Sequence, residues 1–221
     1  MKRLLLTISI LASLSVPAIA FNAGPPEDTL KLAVESEKRF HVTQRGEWIQ
    51  LHDGLSKPYS GTPEEAALQF LKDYRRMAKL SQDLSEIRYQ ATAGMSGLKD
   101  VLYQQYYKNV PVKPNLLSVT LNSDSKVIAA TLGIVDLGDN FNTEPVIKPG
   151  ELAEVLKSTA PEYDVMQPSE PRLCIYCYED RNLLVYETIA TKKGARQRYE
   201  LQIDAATGRV VKAIRGGIGD K

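Results

Sequence analysis

Residues 102–112 read LYQQYYKNVPV, and the fold turns on how this stretch is read. Val, Leu and Tyr dominate residues 101–107 and predict a strand, with Gln104 and Gln105 in its middle. Lys108-Asn109 predicts a turn. Pro111 fixes its own φ and steers Val110 away from helix, so Val110-Pro111-Val112 resumes an extended course. Leu117, Val119 and Leu121 then alternate with Ser118, Thr120 and Asn122, the period of a second strand. Asn122-Ser123-Asp124-Ser125 is a polar turn, and residues 126–132 return as a third strand ending at Gly133.

Upstream, one helix has a clear start. Thr62 is an N-cap, Pro63 suits the first helical position, and Glu65 completes a capping box. Ala67, Phe70, Leu71, Tyr74 and Met77-Ala78 recur at helical spacing, predicting a core-facing helix to about Leu80. Before it come a short helix over 29–39, a strand within 40–51 and a loop punctuated by Asp53-Gly54, Lys57-Pro58 and Ser60-Gly61. After it, residues 87–91 predict a strand and 94–97 a loop.

Downstream, residues 138–149 are rich in Gly, Asn, Asp and Pro and read as a linker. Residues 151–159 predict a second helix, with Leu152, Val155 and Leu156 on one face and Pro161 closing it. Strands follow over 172–178, 183–191, 196–203 and 209–214. The last two are joined by Asp204-Ala205-Ala206-Thr207-Gly208. Asp204 can accept backbone hydrogen bonds across that turn, and Gly208 can take positive φ. The expected fold class is α+β: two halves, each a helix on a small antiparallel sheet.

Residues 1–20 have the three parts of an export signal. Lys2-Arg3 is basic, residues 4–14 are apolar, and Ala18-Ile19-Ala20 is an A-x-A cleavage site. The apolar run is too short to span a bilayer. The chain is therefore expected to be exported, periplasmic or secreted. The divisions that follow are a signal peptide (1–20), an N-terminal extension (21–61), a first domain (62–137), the linker (138–149), a second domain (150–215) and a flexible tail (216–221). Without the signal, 26 basic residues face 27 acidic ones, a balance that suggests neither nucleic acid nor a membrane surface as partner.

Catalytic chemistry finds little footing. The two histidines, His41 and His52, lack the H-E-x-x-H spacing of a zinc peptidase, and neither context supplies a ligand set. G-x-S-x-G and phosphate-cradling glycine loops are absent. No catalytic, cofactor-binding or metal-ligating residue is expected, and no cofactor. Cys174-Ile175-Tyr176-Cys177 is a C-x-x-C on an expected strand, where positions three apart face opposite ways. It reads as a structural disulfide or as two thiols, with redox or metal chemistry as a third reading. Tyr103, Tyr106, Tyr107, Tyr176, Tyr178 and Tyr186 read as half-buried sheet residues.

Two resemblances lie on these residues. The Gln-Gln strand, turn, Val110-Pro111-Val112, strand, polar turn and return strand ending in Gly resemble the fungalysin/thermolysin propeptide (FTP) domain, with its preceding helix. Asn109 stands where that family usually has Gly, and Lys113-Pro114 where it often has an aromatic-Gly pair. Residues 184–187 (LVYE) and 203–211 (IDAATGRVV) resemble a PepSY domain. This order is that of the pro-region of a thermolysin-like zinc metallopeptidase.

The resemblance implies a non-catalytic exported protein that binds such a peptidase in trans as inhibitor, folding chaperone or both. It also implies that Arg215, Gly216 and Gly217 lie where a precursor chain passes the enzyme's cleft. The alternatives are an envelope or secreted PepSY-type binding module with no peptidase partner, a thiol-redox protein, and the pro-region of a split gene. Oligomeric state has no sequence signal.

Overall fold

The computed structural model describes residues 40–45, 48–165, 170–178, 181–194 and 197–216. The expected signal peptide, the helix over 29–39 and residues 217–221 lie outside the described residues.

Two strands open the fold, β1 (His41–Arg45) and β2 (Trp48–His52). Helix α1 (Pro63–Asp73) is followed by β3 (Ile87–Met95), β4 (Leu98–Tyr107), β5 (Val110–Leu121) and β6 (Val127–Leu132). A 3-10 turn (Pro149–Glu151) leads into α2 (Leu152–Thr159). Then come β7 (Tyr163–Val165), β8 (Arg172–Cys177), β9 (Asn182–Lys192), β10 (Arg198–Asp204) and β11 (Val210–Arg215).

The expectation of two helix-on-sheet halves is corrected by the topology. The described residues are 49% strand and 13% helical, and their strands form one mixed sheet of eleven. The cause is β5. Residues 116–121 pair antiparallel with β4, and 118–121 also with β6. The same strand, four residues earlier, pairs in parallel with β8, Val112 opposite Ile175 and Lys113 opposite Tyr176. One strand thus belongs to both ends of the sheet. A parallel join to a partner some sixty residues away has no local turn signal to announce it.

Beside the join β5 bulges, and the two glutamines of β4 fill the gap. Gln104 pairs with Leu116 but Tyr106 with Pro111, so β5 bulges away opposite Gln105. The bulge would leave carbonyls without partners. Gln104 Nε2 donates to the carbonyls of Asn115 (2.8 Å), Gln105 (3.1 Å) and Val112. Gln105 Nε2 donates to the Val135 carbonyl at 2.8 Å, while its Oε1 accepts from Val135 N at 2.9 Å and from Asn115 Nδ2. The Gln105 amide thus acts as an extra peptide unit that holds the chain leaving β6. All three amides are buried, where unpaired polar groups cost most.

Two apolar clusters sit on this sheet. In the first, α1 lays Ala66, Ala67, Phe70 and Leu71 against Val101, Leu117, Val119 and Leu132. Phe70 stacks on Tyr74 with centroids 4.3 Å apart and meets Phe40 and Tyr59 edge-on. The expected capping box is present at Thr62 and Glu65. The helix stops at Asp73 rather than near Leu80, and Lys79 turns with φ 56°. Met77, Ala78 and Leu80 stay buried in those turns, so apolar spacing outlasts the helix. The strand expected within 40–51 is instead the β1–β2 hairpin, with Thr43 opposite Gln50.

In the second cluster, Leu152 and Leu156 of α2 cover Tyr186, Ala190, Leu201 and Ile203. Its turn at 204–209 forms as the sequence suggested. Asp204 Oδ1 accepts from Ala206 N and Thr207 N, each at 2.8 Å, and Gly208 has φ +71°. Gly208 also has no room for a side chain, since a Cβ there would lie 2.2 Å from Val155 Cγ1 of α2. Thr159 donates to the Gly208 carbonyl at 2.8 Å, tying the end of α2 to the turn.

Candidate functional site on the open sheet face

Strand alternation gives β8–β11 two faces. Tyr186 and Ile203 are Cα partners that point at α2, so their neighbours Glu187 and Gln202, also partners, point away from it. Reading across β8, β9, β10 and β11, Arg172, Glu187, Gln202 and Lys212 form one row of this open face. Ile189, Glu200 and Ile214 form the adjacent row across β9, β10 and β11. Cys174, opposite Val185, and Tyr176, opposite Leu183, belong to the same face on β8.

The middle of this face is buried although no helix among the described residues covers it. Glu187 is 8% exposed, Gln202 1% and Cys174 1%. Lys113, reaching from β5, forms an ion pair with Glu187 Oε2. Burial opposes the Lys113 charge, but the hydrogen bond and charge of Glu187 outweigh it and hold the ammonium pKa above its ordinary value. Tyr178 donates its hydroxyl to Gln202 Oε1 at 2.9 Å, and burial raises its pKa. Tyr176 lies 5.2 Å from Tyr178, ring to ring, and Lys212 Nζ is 5.8 Å from the Tyr176 ring centre. Two tyrosines and two lysines thus shelter a carboxylate, an amide and a thiol.

Glu187, Gln202 and Cys174, the buried polar groups at its centre, are each engaged by a neighbour. The Cys174 thiol is pushed up to about 12, by burial first and by the Glu187 carboxylate next. A thiol so held stays protonated at neutral pH and is a poor nucleophile. The arrangement suits recognition and rigidity rather than proton transfer. At its margin Ile189 and Ile214 are 45% and 37% exposed, flanking Glu200.

Cys174 and Cys177 are not joined in a disulfide, the first being buried and the second half-buried at the end of β8. Arg215 pairs with Tyr199 in the β10–β11 ladder. Gly216 donates to the Arg198 carbonyl at 2.9 Å, and its own carbonyl accepts from Gln197 Nε2 at 2.9 Å. The expected tail is therefore sheet-bound through Gly216, and Gly217 lies outside the described residues. Among the described residues, no group of three or more His, Cys, Asp or Glu is arranged to hold a metal, and no helix is long and apolar enough to cross a membrane.

Sequence reading missed Lys113, Glu187, Gln202 and Tyr178 as a set. One signal was available: Glu187 stands inside the run LLVYETIA, where a carboxylate demands a partner. The partner, Lys113, comes from the other end of the sheet and had no signal.

No family model matches the chain, so neither the propeptide-like nor the PepSY-like stretch gains support from one. No curated protein sequence matches it either. Among solved structures, the Bacillus megaterium YpeB C-terminal domain is similar at 18% identity, over 86% of this chain and 96% of that one, with a TM-score of 0.38. A likeness of that size assigns neither fold nor function here.

Proposed function

We propose that this chain is an exported, non-catalytic binding module that presents the open face of β8–β11 to a protein partner. The observation that carries this reading is the sheltered network of Lys113, Glu187, Cys174, Gln202 and Tyr178. Its centre (Glu187, Gln202 and Cys174) is buried, and the network is internally paired and edged by exposed apolar side chains. Such a surface is preorganised for contact, and its titratable groups are committed to one another. The partner we propose, on the resemblance of residues 101–133 and 184–211 to a pro-region, is a thermolysin-like zinc metallopeptidase bound in trans. The chain would inhibit it, assist its folding, or both.

The test titrates a thermolysin-like peptidase from the same source with the chain, and with a version ending at Gly216. Inhibition or a raised refolding yield at micromolar ratios is expected from both, because the folded face supplies the contact. Loss of the effect in the shortened version would move the contact to residues 217–221. No effect of either protein would leave a binding module with no peptidase partner as the better account.

A further inference from the structure

The two histidines, eleven positions apart in sequence, are brought together by the β1–β2 hairpin. His41 and His52 are direct Cα partners, and their rings lie 4.7 Å apart, centroid to centroid, at 58°. Directly opposed residues on an antiparallel pair project from the same face. His41 is exposed and His52 half-buried, so both rings can be reached from solvent.

Their surroundings fix which nitrogen is available. His52 Nδ1 lies 2.7 Å from Asp53 Oδ2. A carboxylate only accepts, so Nδ1 carries the proton and neutral His52 keeps its lone pair on Nε2. Thr43 Oγ1 lies 3.2 Å from that Nε2 and donates to it, which marks the direction of the lone pair. Thr43 is two residues from His41 on the same strand, so the lone pair points across the face that His41 occupies. A carboxylate behind one imidazole nitrogen, with the other nitrogen's lone pair held only by the Thr43 hydroxyl that a metal can displace, is the arrangement that orients metal-ligating histidines.

We infer that His41 and His52 form a two-imidazole site for a first-row divalent cation, with Asp53 as a positioning residue. Metal–nitrogen bonds of about 2.0–2.1 Å place two tetrahedral ligands roughly 3.3 Å apart, within side-chain rotation of rings already this close. Imidazole pairs favour Cu2+, Ni2+ and Zn2+, and Cu2+ binds most strongly in the ordinary affinity order. Two ligands leave the remaining positions to solvent. The site is therefore a weak, exchangeable one that clips the edge strand β1 to β2.

The test is calorimetric titration of the tag-free chain with Cu2+ and Ni2+, alongside amide hydrogen exchange. One saturable site is expected, with Cu2+ tighter than Ni2+ and slower exchange in β1 when Cu2+ is bound. His41→Ala and His52→Ala should each weaken Cu2+ at least tenfold, and Asp53→Asn about tenfold through lost orientation. Circular dichroism unchanged in these variants would show that folding is not the cause. Wild-type affinity in either histidine variant, or no saturable binding by the parent chain, would overturn the site. Wild-type affinity in Asp53→Asn would overturn the role given to that carboxylate.

Discussion

The two ends of the sheet solve burial differently. At the β1–β6 end, α1 and the turns after it cover one face with a wide aromatic and aliphatic cluster around Phe40, Tyr59, Phe70 and Tyr74. Its buried amides serve backbone repair at the β5 bulge. At the β7–β11 end, α2 is shorter and its cluster smaller, yet the opposite face is also buried at its centre, by polar side chains that pair with one another. Burial without a covering helix is costly unless every polar group is matched. The contrast teaches that the first end is scaffold, and that the second spends part of its stability on a patterned surface.

The largest expected effect breaks the scaffold. Phe70→Ala removes a fully buried ring and should cost about 3–5 kcal/mol. Trp48, in β2, is the single tryptophan and reports the first end by fluorescence. Because β5 belongs to both ends, amide protection in β9 and β10 should fall with the Trp48 transition in denaturant. Protection in β9 and β10 that survives that transition would show two independent units.

A second comparison uses two glycines at positive φ. Gly208 (φ +71°) is packed on Val155, whereas Gly97 (φ +81°) in the β3–β4 turn has nothing within 4 Å of a Cβ. Gly208→Ala should destabilise by roughly 2–3 kcal/mol, from backbone strain plus the clash with α2, and Gly97→Ala by about 1 kcal/mol from backbone strain alone. Equal losses by thermal or urea denaturation would mean that the turn does not press on α2.

The paired surface gives a smaller effect. Glu187→Gln removes the charge facing Lys113 and should cost about 1–2 kcal/mol, below the usual figure for a buried pair because the Lys113 side chain is 36% exposed. Lys113→Met should cost less than Glu187→Ala, since the carboxylate is the deeper partner. Denaturation midpoints in the reverse order would place the burden on the lysine.

Near neutral pH the smallest effect is a pH dependence, which opens only above pH 9. The Cys174 pKa is raised from 9.0 to about 12 in the folded chain, so the fold favours the protonated thiol. This contribution is fully present below pH 9, and stability should decline as pH rises from there towards 12. Cys174→Ala should flatten that decline, and an unchanged slope in the variant would assign it to other groups. Consistent with the same shift, iodoacetamide at pH 8 should modify Cys174 far more slowly in the native chain than in urea.

Much of the local structure was legible because local chemistry dictated it. Thr62, Pro63 and Glu65 mark the start of α1, and Asp204 with Gly208 makes the last turn. Apolar alternation at Leu117, Val119 and Leu121 marks the buried face of β5. What escaped was set by distant partners. The pairing of Val112 and Lys113 with Ile175 and Tyr176 merges the expected halves into one sheet, and no periodicity encodes it. The short β7 escaped because Tyr163–Val165 is only three residues long. The candidate site fared worse than the fold. C-x-x-C drew attention to Cys174, but its surroundings come from β5, β9 and β10, so the network existed only after assembly.

The account stands most directly on where a partner touches. Hydrogen–deuterium exchange of the chain, alone and with a thermolysin-like peptidase from the same source, would locate the contact. Protection should appear in β9, β10 and β11 around Ile189, Glu200 and Ile214, and disappear when Ile189→Asp and Ile214→Asp are combined. Protection confined to β1–β6, or unchanged binding by the doubly substituted chain, would contradict the division into scaffold and binding face.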